Sequence, residues 1–155
     1  MKKITYFLLF IIVIISFDQY TKIKILQYML QHSEELNLLP FLNLTLVFNS
    51  GVAFGIFKNF GHLVPHVFSF IGVTFGLGLI VWAFLNKKHY FAMSLISAGA
   101  LGNAIDRIRL GVVIDFIDVY WQNLHWPAFN IADSAITIGV ILLILDSLKS
   151  KPENT

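Results

Sequence analysis

The residues in this sequence that could do chemistry are a few carboxylates set among long apolar stretches. Asp18, Asp106 and Asp133 end or interrupt such stretches, and Asp115 and Asp118 stand between two of them. Two carboxyls at one depth can share a proton. One then takes a proton from water while the other donates to a carbonyl, as in aspartic proteases. From the residues alone, the pair could be any two of these five acids.

Other chemistries have less support in the sequence. It contains no Gly-x-Ser-x-Gly motif, no phosphate-binding loop and no zinc motif, and its five histidines lack metal-ligand spacing. The absence of cysteine excludes disulfides, thiolate metal sites and a cysteine nucleophile. A Ser–Lys dyad of Lys22 with Ser16 or Ser50 is conceivable, but nothing marks either serine. We therefore expect no metal and no cofactor.

Polar partners accompany three of the acids at helical spacing. The sets are Asp18 with Lys22, Asn103 with Asp106 and Arg107, and Asn130 with Asp133. Residues three or four apart share a helix face, so each set forms a polar stripe. We expect structural ion pairs between Asp18 and Lys22 and between Asp106 and its neighbour Arg107. Asp133 has no cation within a helical turn, which marks it as a candidate for proton chemistry.

The composition places these acids in a membrane protein. The chain has 155 residues, of which 57% are hydrophobic and 13% charged, against roughly 25% charged in a soluble domain. Its mean hydropathy is +0.75. These values exclude a disordered chain and disfavour a soluble one. The net charge of +2 is too small and scattered for nucleic-acid binding. We expect one integral membrane domain over residues 1–155.

Four apolar segments are long enough to cross a bilayer, which takes about 20 residues. The predicted spans are residues 4–23, 62–86, 90–108 and 127–147. A cleaved signal peptide is the alternative for the first, but the small-residue cleavage pattern is absent, so we expect an uncleaved span. Six basic residues near the span ends fall on one side: Lys2, Lys3, Lys87, Lys88, Lys149 and Lys151. Both termini are therefore expected in the cytoplasm.

The segments between the spans are expected to face outward. Residues 36–58 are predicted to form a small β element, because apolar and polar residues alternate over 42–49. Asn49-Ser50-Gly51 then predicts a turn and 52–57 a return strand. Residues 109–126 are predicted to form an extracytoplasmic loop. The expected fold is an all-α membrane protein with four transmembrane helices and a small extracytoplasmic β-cradle.

A small proton- or ion-coupled transporter is the alternative function, because acids inside a membrane also build ion pathways. Transport predicts polar residues through the whole depth of the bilayer. The inner halves of the predicted spans, such as residues 138–145, are almost purely apolar. The transporter therefore ranks below the protease.

Five short motifs occur in order along the chain. They are Asp-Gln-Tyr-Thr-Lys at 18–22, Phe-Asn-Ser-Gly-Val-Ala-Phe-Gly at 48–55, Gly-Asn-Ala-Ile-Asp-Arg at 102–107, Val-Ile-Asp-Phe at 113–116 and Phe-Asn-Ile-Ala-Asp-Ser at 129–134. From residue 18 to about residue 139 the sequence resembles the lipoprotein signal peptidase (signal peptidase II) family. The resemblance implies a metal-independent aspartic endopeptidase of the bacterial inner membrane. Such an enzyme removes signal peptides from prolipoproteins, cutting just before a diacylglyceryl-modified cysteine.

The resemblance also selects residues and partners. It implies that Asp115 and Asp133 are the catalytic pair. The implied supporting or substrate-binding residues are Asp18, Lys22, Asn49, Gly51, Asn103, Asp106, Arg107, Asn130 and Ala132. The implied partners are diacylglyceryl-prolipoproteins, membrane lipid and globomycin-type cyclic peptide inhibitors, with an active site at the extracytoplasmic face. We expect a monomer.

Overall fold

Four helices and a small antiparallel sheet make up the computed structural model, which describes residues 2–32, 35–51, 63–86 and 89–149. The helices are α1 (Lys2–His32), α2 (Val64–Asn86), α3 (Tyr90–Leu110) and α4 (Ile131–Lys149). Within these, Ile4–His32, Val64–Leu85 and Ile131–Lys149 are long and apolar enough to cross a membrane. α1 continues to His32, beyond the predicted end of the first span at residue 23.

α3 is the central helix of the bundle. It packs against α1, α2 and α4, and most of its residues from Ala92 to Asp106 are buried. Close approach to α4 depends on glycine, since a Cβ at Gly99 would collide with the carbonyl oxygen of Ala132. Small residues allow helix backbones to approach closely in this way. The beginning of α4 is therefore held against the middle of α3.

The sheet contains the strands β1 (Leu36–Leu39), β2 (Leu42–Asn49), β3 (Val113–Trp121) and β4 (Leu124–His125), in that spatial order and all antiparallel. The strand predicted from the alternation over 42–49 is confirmed as β2. The predicted return strand over 52–57 lies outside the described residues.

Residues 109–126, predicted as a loop, contain the strand β3 and the short strand β4. The expectation of irregular backbone is therefore wrong for these strands, and the extracytoplasmic position of the segment stays a prediction. Residues Val113 to Phe116 are all buried, so this strand lacks the alternation of apolar and polar residues that identifies a half-exposed strand. Its two acids interrupted the apolar run and made it read as a loop.

The strand β3 is tied directly to the start of α4. The backbone of Phe129 accepts hydrogen bonds from the amides of Phe116 and Ile117, at 3.0 and 2.8 Å, and donates one to Ile117 at 3.1 Å. Asn130 follows immediately and α4 begins at Ile131. This contact places the middle of β3, which carries Asp115, beside the first turn of α4, which carries Asp133.

Candidate active site

Asp115 lies on β3 and is 2% exposed. Its two oxygens accept hydrogen bonds from the amide groups of Asn49, at 2.8 Å, and Asn130, at 2.7 Å. Burial raises the pKa of Asp115 above its ordinary value. The charge of Asp133 raises it further, whereas the Asn49 and Asn130 hydrogen bonds and the charge of Lys22 oppose the increase. The enclosed carboxyl is thus suited to keeping a proton.

Asp133 lies in the first turn of α4 and is partly exposed. Asn130 caps this helix: its Oδ1 accepts the amide hydrogen of Asp133 at 2.9 Å, and its own backbone N–H donates to Asp133 Oδ2 at 3.2 Å. This is a reciprocal capping box with an asparagine and an aspartate. Asn103 Nδ2 donates to the other oxygen, Oδ1, at 2.7 Å. Both donors are directed at the Asp133 carboxyl group, which lies at a helix N-terminus.

One residue, Asn130, connects the two carboxyls. It is completely buried. It donates to Asp115 through its side chain and to Asp133 through its backbone. The carboxyls are therefore neighbours with different surroundings, one enclosed and the other at a helix N-terminus. Such a pair can hold one proton between them and act as acid and base. Among the residues that the structure describes, no group of three or more acids or histidines could hold a metal ion.

Asp133 faces an opening from which a ligand could approach. A cavity of about 400 Å³ is lined by Trp126, Phe129, Asp133, Ser134, Thr137 and Ile138. Its wall is mostly apolar and aromatic, and Asp133 supplies the carboxylate. The cavity therefore places a carboxylate beside an apolar wall.

A second cluster is centred on Lys22, which is 1% exposed. Its ammonium lies 2.8 Å from Asp18 Oδ2 and 2.9 Å from Asp106 Oδ2, and it donates to Asn103 Oδ1 at 3.0 Å. The predicted Asp18–Lys22 ion pair is confirmed. The free oxygen of Asp18, Oδ1, accepts the backbone amide of Ala132 at 2.9 Å, so α1 is tied to the beginning of α4.

The predicted ion pair between Asp106 and Arg107 is wrong for the described residues. Adjacent residues of a helix project about 100° apart, and Asp106 turns towards Lys22 and the backbone amide of Ile114. The guanidinium of Arg107 lies over the ring of Phe68, 5.6 Å from its centre, and donates to the carbonyl of Asn103 at 3.4 Å. Arg107 still lies near enough to Asp115 and Asp133 to interact with their charges.

Gln19 also belongs to this second cluster, and sequence reasoning missed it except as a member of the motif at 18–22. Its Nε2 donates to Asp106 at 2.9 Å and to Asp18 at 3.2 Å, while its Oε1 accepts from Arg109 at 3.2 Å. Charged side chains guided the choice of candidate residues, and the glutamine side chain is neutral. The signal that could have found it is its position beside Asp18 at the end of an apolar run.

Gly51 holds Asn49 in place. It adopts φ 77°, a conformation that glycine reaches without strain, and its N–H donates to Asn49 Oδ1 at 2.8 Å. Because Oδ1 is occupied, the Nδ2 of Asn49 is directed to Asp115. The two residues thus act together on one carboxyl.

Asp118, the fifth acid, lies apart from these clusters. Its carboxylate contacts His125 at 2.9 Å and Asn43 at 3.4 Å. The structure therefore brings together four of the five candidate acids, in two clusters that share Asn103. All the supporting residues from the sequence contact one of these clusters or lie beside it.

Comparison with known proteins agrees with this arrangement. A family model described as signal peptidase (SPase) II matches residues 10–149. The chain is 46% identical to a lipoprotein signal peptidase of Thermodesulfovibrio yellowstonii over 139 residues, covering 90% of this chain and 92% of that protein. It is 43% identical to one from Acinetobacter baumannii over 148 residues, covering 91% and 84%.

Solved structures show the same fold. Two structures, each titled as a bacterial membrane enzyme, superpose with TM-scores of 0.75 and 0.76 at 34% and 36% sequence identity. The first match covers 97% of this chain and 94% of the other, and the second covers 95% of both. The likeness therefore extends over nearly the whole chain.

Proposed function

The chain belongs to the signal peptidase II family, proteases that remove signal peptides from prolipoproteins, and we propose that Asp115 and Asp133 are its catalytic pair. The observation that carries this proposal is the Asn130 bridge between two carboxyls of unlike surroundings. A metal-independent aspartic mechanism follows, because the pair supplies both an acid and a base.

In this mechanism Asp133 is the base and Asp115 the acid. Asp133 takes a proton from water as the water oxygen bonds to the scissile carbonyl carbon, and Asp115 donates its proton to the carbonyl oxygen. When the tetrahedral intermediate collapses, Asp133 passes its proton to the leaving amine and Asp115 recovers one from the hydroxyl. The raised pKa of Asp115 and the two donors to Asp133 at the N-terminus of α4 support this division.

We infer that all four helices span the bacterial inner membrane, with both termini in the cytoplasm and the sheet at the extracytoplasmic face. The basic residues near the predicted span ends support this orientation. The single membrane domain then has spans near residues 4–23, 62–86, 90–108 and 127–147. Asn103 and Asp106 of α3 are paired with Lys22 inside the bundle, which supports a crossing by this helix.

The substrate in this arrangement is a diacylglyceryl-prolipoprotein. Its acyl chains remain in lipid, where each buried CH₂ contributes about 0.8 kcal/mol, and its scissile bond reaches Asp133 through the apolar cavity. Cyclic peptides of the globomycin type would compete for that place. The enzyme acts as a monomer, since one chain supplies the complete pair. A transporter is not favoured, because the inner halves of the predicted spans, such as residues 138–145, are almost purely apolar.

The experiment is cleavage of a lipidated prolipoprotein by purified variants, followed by a gel shift. Asp115→Asn and Asp133→Asn should each lower kcat by about 10⁴-fold or more, the scale for loss of one member of a catalytic unit. Asp118→Asn is the matched control, because this acid lies on the same strand but outside the pair. It should cleave normally, and wild-type enzyme should retain activity in EDTA. Normal cleavage by either variant of the pair would refute the assignment.

A further inference from the structure

Lys22 makes one bond more than charge balance requires. Two carboxylates, Asp18 and Asp106, already surround its ammonium. Its third donor goes to a neutral group, Asn103 Oδ1, at 3.0 Å. Asn103 in turn donates to Asp133 Oδ1 at 2.7 Å. A fully buried cation is thus separated from one member of the catalytic pair by a single amide.

The two ends of an amide are chemically different, and lysine has no acceptor. Asn103 can therefore turn only its oxygen towards Lys22, and its planar geometry directs the NH₂ group to Asp133. Asn130 Nδ2 also donates to the same oxygen, at 3.1 Å. With this oxygen held by two donors, Asn103 presents a fixed N–H to the carboxylate.

We propose that Lys22 is a positioning residue for Asp133, acting through Asn103 to keep an N–H donor directed at the catalytic base. This inference rests on the proposed catalytic pair. A hydrogen bond to the charged form of an acid favours that form, and the charged form is the one that removes a proton from water. Without Lys22, Asn103 can rotate and present its oxygen to Asp133, which only a protonated carboxyl tolerates.

Within the described residues, the charged groups on the elements around Asp133 are Asp18 and Lys22 on α1, Asp106 and Arg107 on α3, and Asp115 on β3. Arg107 and Asp115 interact with Asp133 through space, and both charges remain when Asn103 is replaced. A change in kcat that depends on Asn103 therefore identifies the Lys22–Asn103–Asp133 hydrogen-bond chain, which we call the relay.

The first test variant is Asn103→Leu, which removes the relay and leaves both ion pairs of Lys22 intact. We expect kcat to fall about 10- to 100-fold, as for groups that orient metal ligands in enzymes, with little change in KM. The acidic limb of the pH–kcat profile should move up by about one pH unit, the effect of losing a hydrogen bond to a charged group. Wild-type kcat with an unchanged profile would overturn the proposal.

The second test is a double-mutant cycle of Lys22→Met and Asn103→Leu in the full-length enzyme. If Lys22 acts through Asn103, the double variant should have the kcat of the weaker single variant. Multiplying effects would show that Lys22 acts separately, and would overturn the proposal. If Lys22→Met does not fold, Asn103→Leu decides the question alone.

Thr21→Val is the matched control, because the Thr21 hydroxyl bonds only to the carbonyls of Phe17 and Asp18 on the same helix. It should keep the wild-type kcat and profile. The outcome is distinct from failure of the catalytic pair. If Asp115→Asn and Asp133→Asn are inactive while Asn103→Leu is normal, only the relay is refuted.

Discussion

Two pairs of carboxylates lie near each other in this molecule, and the groups that contact them are of different kinds. Asp18 and Asp106 share a buried lysine, whose ammonium contacts both carboxylates directly. Asp115 and Asp133 are surrounded by asparagine amides and a helix N-terminus, which solvate charge without supplying a counterion in direct contact. The first pair has a counterion in direct contact. In the mechanism proposed above the second pair exchanges a proton, so the difference separates a structural role from a chemical one.

The largest effect on stability should come from the lysine-bound pair. Asp106→Asn replaces one of the two charged partners of Lys22 by a neutral group and sets an amide donor against Gln19 Nε2, which donates to Asp106 Oδ1 at 2.9 Å in the wild type. Losing a hydrogen bond to a charged group and leaving a buried donor unpaired costs about 3 kcal/mol of unfolding free energy. Asp115→Asn should change it by about 1 kcal/mol or less, because only one hydrogen bond is disturbed. Denaturant unfolding in detergent measures both. Equal losses of unfolding free energy in the two variants would contradict the distinction between the two pairs.

The next largest effect should be a pH-dependent change in stability at Asp115, a member of the second pair. Because burial raises the pKa of Asp115 above 3.8, the folded protein binds more protons than the unfolded chain just above that pH. Its contribution to stability is present below pH 3.8 and is lost as pH rises through the folded pKa. Asp115→Asn should therefore gain in Tm relative to wild type as pH rises from 4 to 7. A constant difference in Tm would contradict this.

The smallest effect is expected at the acid outside both pairs. His125 contacts Asp118 at 2.9 Å, but half of the histidine side chain is exposed. An exposed ion pair contributes less than about 1 kcal/mol. His125→Ala should therefore alter the unfolding free energy within that limit and leave kcat unchanged. A tenfold loss of kcat would show that Asp118 acts together with the proposed catalytic pair.

Local patterns predicted much of this arrangement. Residues four apart gave the Asp18–Lys22 pair, and alternation gave β2. The start of α4 could have been placed better, because Asn130 with Asp133 three residues later is a capping pattern. The predicted span instead began at residue 127.

Contacts between distant segments could not be predicted in the same way. The pairing of Asp115 with Asp133 depends on the backbone bridge between Ile117 and Phe129, which neither hydropathy nor spacing reveals. Family resemblance selected this pair. Similarly, Asp106 forms its ion pair with Lys22 and not with its neighbour Arg107, because α1 and α3 pack together.

Gly99 has a consequence for how this sequence can vary. Its missing side chain lets the carbonyl of Ala132 sit against α3, and Ala132 is the residue before Asp133. The tolerance of this enzyme to mutation is therefore limited by shape as well as by chemistry. Gly99 can be as intolerant of replacement as an aspartate, although it carries no reactive atom, because any side chain there would collide with the residue that precedes the proposed catalytic base.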